Sequence, residues 1–276
     1  MAGRMEGKVV FITGAARGQG RSHALRLAEE GADIIAIDIC ESVPGVVYDG
    51  ATSEDLAETV RQVEALDRRI VAREADVRDE DALASAVADG VAELGRLDGA
   101  VANAGIDIIK HWQDFTKDDW DNTIGTNLTG VWNTVRAVAP AIIDGGNGGS
   151  IVLISSANGI KPGPFNAPYN AAKFGVTALS KSFAMELGKH RIRVNSIHPG
   201  AVETHMGTGA AGNIGELDKE NPGLLQMLNG WFNNDDGSLN FMQPREISNA
   251  VLYLLSDESP FTTGLAMNVD GGMASY

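Results

Sequence analysis

The chain has 276 residues, 43% of them hydrophobic, and carries a formal net charge of −15. That length suits one α/β domain with a full core, and so acidic a chain without a basic cluster speaks against nucleic acid or an anionic membrane as partner. A lone cysteine, Cys40, excludes an intrachain disulfide; with no signal-peptide core near the N-terminus and no apolar run of ~18 residues, a soluble cytoplasmic protein is expected.

The first apolar run, Val9 to Ile12, reads as a buried strand. It passes into Thr13-Gly-Ala-Ala-Arg-Gly-Gln-Gly20, which opens a helix predicted from Gly20 to Glu30. Gly14, Gly18 and Gly20 permit a tight turn and a close approach of backbone to a pyrophosphate, which the following helix N-terminus favours. Arg17 and Gln19 belong to the same turn. The second strand, Ile34 to Ile37, ends at Asp38 and Ile39, with Asp38 eighteen residues past Gly20. A carboxylate there can hold both hydroxyls of an adenosine ribose and repels a 2′-phosphate. Residues 40–50, with Pro44, Gly45 and Tyr48, then intervene before a helix predicted from Glu54 to Ala65. They form either a solvent loop or a flap over the adenosine.

Strands and helices continue to alternate. A strand from Ile70 to Glu74 leads to Asp76-Val77 and a helix from Asp79 to Leu94; a strand from Gly99 to Val101 leads to Asn103-Ala104-Gly105 and a long helix from Lys117 to Ile142, which contains Asn127. A strand from Ser150 to Ile154 stops before Ser156, and a helix from Pro168 to Gly188 carries Tyr169 and Lys173. A strand from Arg193 to Ile197 runs into Pro199-Gly200, Val202 and Thr204; the last elements are a helix from Arg245 to Leu255 and a strand from Leu265 to Val269. Short apolar strands between helices of this length predict one domain over residues 1–276, α/β in class, with a doubly wound parallel sheet of about seven strands covered on both faces. The long stretch from Thr204 to Gln243, with seven glycines, breaks the pattern and reads as a lid. Within it, Leu224 to Leu228 and Trp231-Phe232 are apolar enough to cover a pocket or to pack at a subunit contact.

Tyr169 and Lys173 are four residues apart and share a helix face. A phenol ordinarily titrates near pH ~10, and an adjacent ammonium pulls it toward neutrality. With the Ser156 hydroxyl returned beside them by the preceding strand, the three form an acid–base centre for an alcohol or a ketone. Ser155, pointing to the opposite face, is expected to be structural. The five histidines form no metal-binding spacing, and no metal is expected.

With these motifs in this order, the chain resembles a classical short-chain dehydrogenase/reductase from about Gly7 to Gly272. TGxxxGxG is met from Thr13 to Gly20, the acidic adenine-site pair by Asp76-Val77, and the NNAG element by Ala102-Asn-Ala-Gly105 with its first Asn replaced. The resemblance implies a Rossmann fold and a catalytic set of Asn127, Ser156, Tyr169 and Lys173. It implies cofactor contacts at Gly14, Arg17, Gly18, Gln19, Gly20, Asp38, Ile39, Asp76, Val77, Asn103, Ala104, Gly105, Tyr169, Lys173, Pro199, Gly200, Val202 and Thr204. Asp38 indicates NAD, while Arg17, a basic residue before the second glycine, is the feature that accompanies NADP in the family. The first turn and the 40–50 insertion are similar to the carveol-dehydrogenase-like, mycofactocin-associated branch. That implies NAD held without exchange, electrons passed to an external redox partner, a secondary alcohol or ketone as small-molecule substrate, and a homotetramer. An NADP-dependent ketoreductase acting on acyl thioesters is the alternative.

Overall fold

The computed structural model describes residues 3–217, 219, 224, 232, 234 and 240–275. Seven strands, β1 (Val9–Thr13), β2 (Asp33–Asp38), β3 (Ile70–Glu74), β4 (Gly99–Ala102), β5 (Gly149–Ile154), β6 (Ile192–Pro199) and β7 (Ala266–Val269), form one sheet. All pairings are parallel and the order is β3-β2-β1-β4-β5-β6-β7. The order reverses between β1 and β4, which opens a crevice at the carboxyl ends of the strands, where α/β sheets bind ligands.

Period-two alternation sends successive side chains to opposite layers. Phe11, Ile35, Ala100, Ile151 and Val194 face one core, completed by α3 (Glu80–Leu94), α5 (Gly130–Gly145) and α6 (Ala167–Leu187). Val10, Ile12, Ile34, Val101, Val152 and Ile197 face the other, under α1 (Gly18–Ala28), α2 (Ser53–Glu64) and α8 (Pro244–Leu255). Each fully buried aliphatic side chain contributes about 1.5–3 kcal/mol, so a sheet packed on both faces is a rigid base for the loops at its edge. Helix starts follow the chain's polar signals: Thr52 and Asp55 make a reciprocal capping box at α2, and Asp79 accepts from two backbone N–H groups at α3.

The predicted doubly wound parallel sheet is therefore present, with two departures. The helix expected to run unbroken from Lys117 to Ile142 is split into α4 (Lys117–Ile124), a π-turn (Gly125–Thr129) and α5. A π-turn widens the helix by one residue, a device frequent at functional sites. Here it carries the Asn127 side chain, whose amide accepts from Ile106 N (2.8 Å) and donates to Ile106 O (2.7 Å). The glycine-bearing stretch also contains a helix, α7 (His205–Leu217), started by Thr204, whose hydroxyl accepts from Gly207 N at 3.1 Å. Glycine's low helix propensity hid it from pattern reading. The apolar residues 225–228 and Trp231, expected as part of a lid or a contact, lie outside the described residues.

Candidate active site

The glycine turn crosses from β1 to α1. Gly14 takes φ +67°, and a Cβ on Gly20 would lie 1.9 Å from Gly14 O, so the backbone is folded too tightly for any side chain there. Asn103 locks this turn to β4: its Nδ2 donates to Thr13 O (2.9 Å) and Gly14 O (3.2 Å), while its own N–H reaches the Thr13 hydroxyl. Asp38, buried at the end of β2, accepts from Ala16 N (3.0 Å) and Cys40 N (3.1 Å), one bond to each oxygen. Each oxygen keeps a free lone pair for a hydroxyl.

A cleft runs along these groups. It is lined by Gly14, Arg17, Gly18, Gln19, Gly20, Asp38, Ile39, Asp76, Val77, Asn103, Ala104, Gly105 and Thr204, all expected from the sequence. Pro199, Gly200 and Val202, expected beside them, sit at the end of β6 outside that lining, and Val202 instead bridges to Met242. Inside the cleft the buried Gln19 Oε1 has no partner, and the helix N-terminus points at the same space. An orphaned acceptor, a cradle no Cβ can enter and a ribose-level carboxylate fit a dinucleotide: pyrophosphate on the turn, adenosine ribose on Asp38. Asp76 serves also as a turn former, its carboxylate accepting from Arg78 N (2.8 Å) and Nε (2.7 Å).

The insertion also lines the cleft, through Glu41, Val43, Val46, Tyr48 and Gly50. Three ties hold it. The Arg17 guanidinium donates to Asp49 O; Asn122 Nδ2 donates to Pro44 O (3.4 Å); and the Tyr48 hydroxyl accepts from Asp107 N (3.1 Å). Arg17 is thereby engaged with the protein's own backbone.

Beside the cleft, next to Gly105, β5 and α6 bring the catalytic candidates together. The Ser156 hydroxyl, which accepts from Asn158 N at 3.1 Å, lies close enough to the Tyr169 phenol to favour its ionised form. The Lys173 ammonium lies 5.5 Å from the Tyr169 ring centroid and donates to Ile154 O at 2.9 Å. Ser155, as expected, is structural, donating to Lys173 O at 2.9 Å. His198 is fully buried and braces the centre: one ring nitrogen pairs with Ser156 O and the other with the Ser196 hydroxyl, both at 2.9 Å.

The electrostatics differ from the simple expectation that Lys173 pulls Tyr169 toward neutrality. Burial pushes the Tyr169 phenol up, as do Asp107 and Tyr48, and the Ser156 hydroxyl opposes them. Burial brings Lys173 down to about 8, with Asp107 opposing, and lifts Asp107 itself to about 7. Desolvation wins because every charged form here has lost water. Asp107 and Tyr48 escaped sequence reasoning: neither belongs to a motif, and only the fold places them beside Tyr169. The departure of Asp107 from the apolar pattern around Ile106, Ile108 and Ile109 was the available signal.

A model of the short chain dehydrogenase family matches residues 8–213. The (−)-trans-carveol dehydrogenase of Rhodococcus erythropolis is 43% identical, over 98% of this chain and 98% of that protein. A short chain dehydrogenase from Mycobacterium paratuberculosis, solved bound to NAD, has TM-score 0.95 at 52% identity, covering 99% of this chain and 100% of the other. Carveol dehydrogenase from Mycobacterium avium, in complex with NAD, has TM-score 0.92 at 48% identity with the same coverage. The chain belongs to the short chain dehydrogenase family.

Proposed function

We propose that this protein is an NAD-dependent oxidoreductase that moves a hydride between a secondary alcohol, with a cyclic or terpenoid-like skeleton, and the nicotinamide. The observation that carries this reading is a cleft that holds a ribose-level carboxylate, Asp38, and reaches Gly105, whose neighbour is Lys173 of the Ser156–Tyr169–Lys173 group. Bound NAD supplies the hydride acceptor. Tyr169 takes the hydroxyl proton of the alcohol as the carbon–hydrogen bond breaks, and returns it to the carbonyl oxygen in the reverse direction. Ser156 donates to the same oxygen and fixes it. Lys173 stabilises the tyrosinate and, by its family role, holds the nicotinamide ribose. Asn127 binds both the N–H and the C=O of Ile106, which holds residues 105–107 against Lys173. The carveol-like substrate rests on the relatives named above.

NADP is disfavoured on two grounds: Asp38 repels a 2′-phosphate, and Arg17 is committed to Asp49 O. The tethered insertion supports a nucleotide that stays bound through turnover, with an external redox partner reoxidising it. Half-exposed Trp120, Trp132 and Phe174 on α4, α5 and α6 support a homotetramer built through those helices. The test has two parts. Denaturing freshly purified protein should release near-stoichiometric NAD or NADH. Carveol should then be oxidised with an artificial electron acceptor and no added NAD. Protein that carries no nucleotide and oxidises carveol only with freely added NAD sinks the retained-cofactor reading and leaves the oxidoreductase reading standing.

A further inference from the structure

Beyond β4 the chain runs Gly105-Ile106-Asp107 beneath α6. Asn127 grips Ile106 at both polar atoms, and a Cβ on Gly105 would lie 3.6 Å from Lys173 Nζ. The next residue, Asp107, is near enough for its charge to act on Lys173 and Tyr169. Asp107 is only 9% exposed, and its Oδ1 has no hydrogen-bond partner. Its carboxyl also meets the Asn166 side chain. In the orientation that satisfies both ends of that amide, the Asn166 nitrogen donates to Gly163 O, Pro164 O and Asn170 Oδ1. No donor is then left for Asp107, a setting that suits a carboxyl carrying its own proton. Its backbone N–H is held by the Tyr48 hydroxyl, 59 residues away in the insertion.

We infer that Asp107 is a positioning residue of the catalytic centre, whose charge sets the balance between the Tyr169 phenol and the Lys173 ammonium, and that Tyr48 fixes its backbone in place. The inference rests on the oxidoreductase reading above. Asp107 exchanges no atom with substrate: the alcohol proton goes to Tyr169, and the hydride goes to the cofactor. The charged and titratable groups facing it are Lys173 and Tyr169 from α6 and Tyr48 from the insertion, with Arg17 acting on Tyr48. A carboxylate at this place disfavours the tyrosinate that must accept the alcohol's proton, and favours the ammonium. A neutral Asp107 lifts the first effect while the second recedes. The charge state of one buried acid thus moves both members of the pair in the same direction on the pH axis. This assigns the insertion a second task, reaching from the adenosine end of the cleft to the catalytic centre through Tyr48.

The test compares wild type with Asp107→Asn and Asp107→Glu, using the nucleotide-loaded enzyme and carveol as probe. Ultraviolet titration of tyrosinate, with Tyr169→Phe as the blank, reads Tyr169 directly. Asp107→Asn should move the Tyr169 titration to lower pH by about one unit. The kcat/KM profile should move the same way, giving about tenfold more activity on the part of its acid limb above pH ~7, where wild-type Asp107 is ionised. Asp107→Glu should restore the wild-type position. Asp107→Ser, smaller and equally uncharged, gives the same displacement and serves if the Asn variant does not fold. A folded, uncharged variant whose titration and profile stay at the wild-type pH, with kcat merely scaled, overturns the inference, because that is what a purely structural Asp107 would show. Failure of the underlying reading is distinct: Tyr169→Phe would then keep its carveol oxidation, while the spectroscopic titration would still report on Asp107.

Discussion

The nucleotide cleft and the Tyr169 cluster beside it are built on different principles. At the adenosine end a single contiguous turn, Gly14 to Gly20, and one carboxylate at the tip of the next strand do nearly everything, mostly with backbone groups. At the proposed catalytic centre the side chains come from four separate places: β5's exit, α6, the segment after β4 and the insertion. Holding a nucleotide needs a shape and one fixed charge. Moving a proton needs several titratable groups stripped of water together, because only burial separates their acidities from the ordinary values. The first kind of site tolerates a soft environment; the second depends on the whole fold.

The largest expected effect lies at the proposed catalytic centre. Tyr169→Phe should lower alcohol turnover by about 10²–10⁴-fold while nucleotide bound per chain, measured after denaturation, stays as in wild type. Loss of both together would break the division between the two sites. Stability is the next test. Phe11→Ala removes a fully buried ring from the core layer shared by both sites and should cost about 3–5 kcal/mol in chemical denaturation. Both functions should then fall together, in contrast with Tyr169→Phe. At the adenosine end, Asp38→Ala should cut the preference for NAD over NADP by about 10–100-fold, the loss of charge-assisted hydrogen bonds to a ribose. Competitive binding of the two nucleotides reads this directly, and an unchanged ratio would transfer the discrimination to another residue.

A smaller effect sharpens the comparison through pH. His23, on the helix that follows the glycine turn, is wholly buried and pairs with the Ser248 hydroxyl of α8 at 2.8 Å. Burial holds its imidazole at about 3. The unfolded chain binds the proton near 6.5 and the folded chain does not, so stability falls as pH drops below ~6.5 and continues to fall toward ~3. Between pH ~6.5 and ~5 this contributes about 2 kcal/mol of lost stability. His23→Gln should remove that slope in denaturation curves at the two pH values, while the activity profile set by Tyr169 and Lys173 keeps its position. The smallest effect is expected for Arg17→Ala, which frees one of three ties on the insertion. Bound nucleotide should exchange several-fold faster, by loss of about one hydrogen bond to a charged group; an unchanged exchange rate would show that the other two ties suffice.

Much of this was legible in the chain. The inner strands were visible as short apolar runs, because a parallel sheet buried on both faces leaves no polar side to obscure them, and the edge strands β3 and β7 were placed by the alternation of strand and helix. The glycine turn, Asp38 and the Tyr169–Lys173 spacing were visible because each is local: its meaning lies in residues at most about one strand or one helix turn apart. The π-turn at Asn127 was not, since its cause is a hydrogen-bonded pair formed with Ile106, 21 residues earlier. The helix α7 was hidden by its glycines, and the cap from Thr204 became meaningful only once the chain turned there.

The sequence by itself determined the alternation of strand and helix, the nucleotide turn and which residues could act as acid and base. The tertiary structure alone decided that Tyr48 would meet Asp107, that Arg17 would face the insertion, and that Tyr169, Lys173 and Asp107 would be buried within reach of one another's charge. The reason is physical: periodicity and turn chemistry are properties of neighbours along the chain, whereas desolvation and charge coupling exist only between groups the fold has brought together.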